Sequence, residues 1–213
     1  MVAFYLFKFD YQIVIKDVIM DRSVSVETYK IWANIIHQNI LNSFAYYGYL
    51  QGLELLFKSY EDTSKLSFAC VEFIERQKYL FQIAICLNIS KLFFDQGKDV
   101  YSFDNYKHKI EDYKGERLKI KKPKIDKNLA KKITSFRKNY IAHSIVDADK
   151  ISIKMSDLYE VLKLEVSHFN AITDDTIFEQ AYRFNDDAIE RLIHHCATGV
   201  WDFILMEKPS IKV

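Results

Sequence analysis

The chain has 213 residues, which suits one domain or at most two small ones. Apolar residues make up 49% of it, yet there are only 5 Gly and 2 Pro, so long helices fit better than a many-stranded sandwich or barrel. No Gly-rich phosphate fingerprint occurs, which argues against a P-loop or a Rossmann dinucleotide site, and a formal net charge of +1 says nothing of partners by itself.

Residues 2 to 20 read as a helix, with Ile13, Val14, Val18 and Ile19 at helical spacing, although Val2 to Phe9 also suits a strand. Ser23 or Ser25 can cap the next element. From Val26, the positions Tyr29, Trp32, Ala33, Ile36, Ile40, Leu41 and Phe44 predict an amphipathic helix. Gly48 and Gly52 loosen or end it, or it continues through Leu53, Leu56 and Phe57. Ser59 to Ser64 reads as a loop. Leu66 to Asp95 is apolar on more than one side and predicts a central helix buried by several neighbours, with Gly97 as its stop.

Ser102 caps a shorter helix carrying Phe103, Tyr106 and Ile110. Tyr113 to Lys124 reads as a linker. Helix resumes near Asp126 and runs through Leu129, Ile133 and Phe136 to about His143. Ile145 to Ile153 is a loop. Ser156-Asp157 caps a helix that Thr173 to Asp175 breaks, and Asp186-Asp187 starts a last helix, with Pro209 beyond its end. The expected fold is a single all-α domain over residues 1–213, an up-and-down helical bundle with additional N- and C-terminal helices.

Three cysteines, with no C-x-x-C pair among them, predict free, buried thiols in a reducing compartment. Met1 to Phe9 lacks a basic flank and is interrupted by Lys8, so no signal peptide is read there. No apolar run is long enough to span a bilayer. The expectation is a soluble, cytoplasmic protein without a membrane partner. His194-His195-Cys196 offers no metal site, because adjacent helical histidines point about 100° apart and no second ligand cluster stands near. His37 and His168 sit inside apolar helices and are expected to be buried and hydrogen-bonded.

The charge is unevenly spread. Ten basic residues and one acidic residue lie between Arg117 and Lys138, whereas eleven acidic and four basic lie between Asp147 and Glu190. Lys127, Lys131, Lys132 and Lys138 are the candidates for a phosphate-binding path, the other reading being a solvated segment that balances acidic faces. This segment leads into Phe136-Arg137-Lys138-Asn139-Tyr140-Ile141-Ala142-His143-Ser144. Histidine moves protons near neutral pH, and arginine holds phosphates and developing negative charge. Asn139 and His143 share a helix face at i, i+4, whereas Arg137 and His143 are about 240° apart. With six histidines in the chain, such an Arg-to-His spacing arises by chance about half a time, so a surface arginine beside a structural histidine explains it too.

The string Phe136 to Ser144 resembles the signature of the HEPN superfamily, an Arg and a His separated by four to six residues on a late helix. Ile89-Ser90-Lys91-Leu92-Phe93-Phe94-Asp95, a polar gap and Tyr101-Ser102-Phe103 resemble a segment of its abortive-infection U-type branch. Asp157-Leu158 and Phe169-Asn170 fall where that branch places its next helix. The likeness covers roughly residues 28 to 172, weakly outside the motif. Lys138 departs from the pattern, which favours Asn, Asp or His after the Arg; Asn139 stands one place later.

The resemblance implies a HEPN-like bundle that dimerises so that two Arg/His motifs face each other. It implies a metal-independent RNA endonuclease without cofactors, of the toxin-antitoxin or phage-defence kind, leaving 2′,3′-cyclic phosphate ends. His143 would be its general acid or base, Arg137 its phosphate ligand and Asn139 a third site residue. Asp95 reads either as a surface residue at a helix end, the better-supported reading, or as an acidic helper to Arg137. RNA would be the substrate, with an antitoxin or a nucleotidyltransferase as a further partner. The competing expectation is a non-catalytic helical module that binds a protein or nucleic acid.

Overall fold

A computed structural model describes residues 26–59, 68–142, 153–173 and 183–206. Six helices occur in order: α1 (Val26–Ser59), α2 (Phe68–Phe93), α3 (Phe103–Lys114), α4 (Lys127–Ala142), α5 (Met155–Ile172) and α6 (Asp186–Met206). No strand occurs among the described residues, so the fold is an all-α bundle as the composition predicts. The expected N-terminal helix within residues 2–20 and the loop at Ile145 to Ser152 lie outside the described residues.

α1 is the spine. Its apolar positions recur every three or four residues, so Tyr29, Trp32, Ala33, Ile36, Ile40, Phe44, Tyr47 and Leu50 are all buried. It packs against α2, α3, α5 and α6, most extensively against α6. Neither Gly48 nor Gly52 ends it, and both serve close approach. A Cβ on Gly48 would lie 2.6 Å from the Ile193 carbonyl oxygen, and one on Gly52 2.6 Å from that of Ala197. Two bare positions one turn apart thus let α6 lie directly on α1.

The prediction for α2 holds for only half of it. Ile83, Ile85, Cys86, Ile89, Leu92 and Phe93 are buried between neighbours. The first half is covered on one side only: Ile74 is buried with Leu53 and Leu56 of α1, but Phe68 is 82% exposed, and Phe73 and Leu80 are exposed as well. Apolar content alone did not distinguish a covered turn from an uncovered one. Nor does Gly97 stop the helix. α2 ends at Phe93, with Phe94 and Asp95 both donating to the Ser90 carbonyl. Among the described residues the left-handed glycine is Gly115, the C-cap of α3, whose N–H donates to the Glu111 carbonyl.

The other caps reflect local chemistry. Ser102 Oγ accepts from the Asn105 N–H at 3.4 Å and starts α3. Asp126 Oδ1 accepts from Asn128 and Leu129 at 2.9 and 3.0 Å and starts α4. α5 departs from expectation. Its cap position is Lys154, which makes no side-chain cap bond, so Ser156 and Asp157 lie inside the first turn. There Asp157 favours the helix through the macrodipole. Asn185 opens α6 by accepting from the Asp187 N–H at 2.8 Å.

The 113–124 linker is strapped down on its α3 side. Glu111 accepts from the Leu118 N–H at 2.9 Å, and Lys107 donates to the Ile120 carbonyl at 2.9 Å. Leu118, Ile120 and Ile125 pack against the main core, which draws buried residues from all six helices. Cys86 and Cys196 are buried free thiols, but Cys70 is exposed, against expectation, because it sits on the uncovered side of α2.

Candidate functional site

α4 is amphipathic. Ile133 and Phe136 are buried, and the Phe136 ring lies 5.8 Å from that of Tyr79 on α2. Fixing that face turns the next residue, Arg137, onto the flank of the helix toward the end of α2. There its guanidinium donates to the carboxylate of Asp95, two residues past the end of α2. The Arg137 side chain is 33% exposed and that of Asp95 21%. The pair is therefore partly shielded, which strengthens a charge-assisted bond, and it stays reachable from solvent.

The pair sits in an open cleft of about 420 Å³. Asn88 and Lys91 line it from α2, and Asp99 and Tyr101 line it from the α2–α3 connection. Both elements are braced. Asn88 Nδ2 donates to the Asn39 carbonyl at 3.3 Å and to Ser43 Oγ at 3.0 Å, tying α2 to α1. Asn105 Nδ2 donates to the carbonyls of Gly97 and Val100 at 2.7 and 2.8 Å, which holds the connection in one shape. The Tyr101 ring lies 4.7 Å from that of Trp32.

Of the residues chosen from sequence, the structure brings Arg137 and Asp95 together. Lys138 and Asn139 are on the backbone of α4, but their side chains, and all of His143, lie outside the described residues. Lys127, Lys131 and Lys132 are exposed on α4. Helix geometry sets Lys131 and Lys132 about 120° and 140° around the axis from Arg137, so these lysines do not line its cleft. The cation that does is Lys91, whose Nζ stands 5.8 Å from the Tyr101 ring centroid. Sequence reasoning passed over Lys91, although its place four residues before Asp95 was a usable signal.

The remaining histidines offer no rival, and the exposed His108 on α3 is taken up by Glu111 at 3.1 Å. His168 is buried between Phe103 and Phe93, at 5.0 and 6.4 Å, and burial pushes its pKa down to about 4. His37 stacks on Phe184 at 4.4 Å, and burial lowers its pKa too. His194 and His195 are exposed, and among the described residues no three His, Cys, Asp or Glu side chains cluster to hold a metal.

A second depression of about 410 Å³ lies beside α5 and α6 and contains Tyr159, Lys163 and Glu190. The Tyr159 hydroxyl donates to Glu190, which together with burial pushes its pKa up to about 12. Lys163 pairs with Glu160 at 2.7 Å. That arrangement lacks the Arg–carboxylate pair of the first cleft. Asn170 closes the neighbouring segment, exchanging hydrogen bonds of 3.2 and 3.1 Å with the backbone of Phe184.

No protein-family model matches this chain, and comparisons with curated proteins and with solved structures found no match. Among the described residues, no helix is long and apolar enough to cross a membrane.

Proposed function

We propose that the chain is a metal-independent RNA endonuclease of HEPN type, with Arg137 and His143 as its reacting pair and a homodimer as its working form. The observation that supports this most is the Arg137–Asp95 pair in the wall of an open cleft. An arginine oriented by a carboxylate keeps its other N–H donors aimed, which is what stabilising a phosphoryl group requires.

In this reading the RNA 2′-OH attacks the adjacent phosphorus while a base takes its proton. The P–O5′ bond breaks as O5′ receives a proton. The products are a 2′,3′-cyclic phosphate and a 5′-OH. His143 moves one of those protons, and Arg137 stabilises the charge on the phosphoryl oxygens. Asn139, near His143 in sequence, completes the set. A toxin or phage-defence role, paired with an antitoxin or a nucleotidyltransferase, is the setting that such chemistry suits.

The test is the product. Purified chain incubated with RNA and a chelator gives 2′,3′-cyclic phosphate ends. Products with 3′-OH ends, or no cleavage, contradict the reading.

One observation favours a non-catalytic binding module instead. Arg137 already has a carboxylate partner, and such a pair also serves simply to join α4 to α2. If so, His143→Ala leaves every cellular effect of the chain unchanged.

A further inference from the structure

We propose that Lys91 is the phosphate ligand that draws a nucleotide into the Arg137 cleft, and that the charge of Asp99, which lines the same cleft, works against it. This rests on the nuclease reading for the kind of ligand, but its residues come from the geometry.

Charge within the cleft decides the roles. Arg137 and Asp95 cancel formally, so an approaching phosphodiester meets oriented donors there but little net charge. Among the described residues two further charged groups line the cleft, Lys91 and Asp99. Among the described residues Lys91 has no carboxylate partner; its ammonium stands over the Tyr101 ring. Asp99 is exposed and has no cationic partner among them. Lys91 is thus the cation free to neutralise a phosphate, and Asp99 is the charge that a phosphate must approach.

Shape limits what enters. A volume of about 420 Å³ is near the lower end of the roughly 300–1,000 Å³ of small-molecule sites. It suits one unpaired nucleotide, not a duplex. Tyr101, backed by Trp32, gives the nucleoside an aromatic wall beside Lys91 and Arg137.

The experiment is binding of the full chain to a fluorescent single-stranded RNA, 2′-O-methylated throughout so that it is not cut, over a range of salt. Lys91→Ala is expected to weaken binding about tenfold at low salt and to reduce the salt slope by about 0.7. Lys91→Arg retains most of the affinity. Asp99→Asn tightens binding, a gain that lost folding cannot mimic. Lys91→Ala with wild-type affinity and slope, or Asp99→Asn without a gain, overturns the assignment while leaving the nuclease reading intact. Lys91-dependent binding by a chain that does not cut unmodified RNA supports the assignment and removes the nuclease reading. A wild-type chain that does not bind this RNA overturns the assignment, and cleavage of unmodified RNA then decides the nuclease reading by itself.

Discussion

Arg137 and Asp95 are 42 positions apart in sequence, and they close an ion pair where α4 meets the end of α2. It joins a helix that carries the motif to the segment that shapes the cleft. Asp95→Asn removes the charge and keeps the shape. The expected loss of stability is about 1 kcal/mol, since the pair is partly exposed. On the nuclease reading the expected loss of cleavage rate is larger, on the order of tenfold to a hundredfold, because a freed guanidinium no longer holds its aim. Urea unfolding and single-turnover cleavage measure the two effects separately. Equal, small losses in both would assign Asp95 to scaffolding alone.

The seam between α1 and α6 gives a prediction with opposite signs on related changes. Gly→Ala within a helix ordinarily gains up to about 1 kcal/mol. At Gly48 and Gly52 the new methyl meets backbone oxygens at 2.6 Å, so an overpacking cost of about 1–3 kcal/mol wins and both variants are destabilised. At Gly199, also helical, nothing lies within 4 Å of the added carbon, and Gly199→Ala stabilises by about 0.5–1 kcal/mol. Thermal unfolding of the three variants checks the order.

Glu165 is fully buried on α5, and among the described residues neither carboxylate oxygen has a hydrogen-bond partner. Burial therefore raises its pKa well above the ordinary 4.5. The folded chain holds that proton more tightly than the unfolded chain does. This contribution to stability is complete below about pH 4.5 and is lost as pH rises toward the folded-state value. Glu165→Met is expected to stabilise the chain at pH 8 by about 1–3 kcal/mol, and by less at pH 5. Urea midpoints at both values measure this. A gain that does not grow with pH contradicts the assignment of the titration to Glu165.

The features legible in the sequence were those that local chemistry decides. The spacing from Tyr29 to Phe44 gave α1, and Ser102 and Asp126 marked the starts of α3 and α4 because a cap acts within three residues. Tertiary context hid the rest. Gly48 and Gly52 left the end of α1 open because α6, whose approach they permit, is far away along the chain. Phe73 and Ile83 are equally apolar in sequence, yet one is exposed and the other buried. At the cleft, Arg137 was found from its motif. Lys91 was missed because charge density drew attention to residues 117–138, whereas the side of the helix decides which cation lines the cleft.

The most direct measurement is the rate at which the wild-type chain, His143→Ala and Arg137→Ala cut RNA in the presence of chelator, with fold and oligomeric state monitored alongside. The nuclease reading predicts cleavage by wild type and a loss of at least about a hundredfold in each variant, with both still folded and dimeric. Cleavage undiminished in both variants, or absent in wild type, contradicts it.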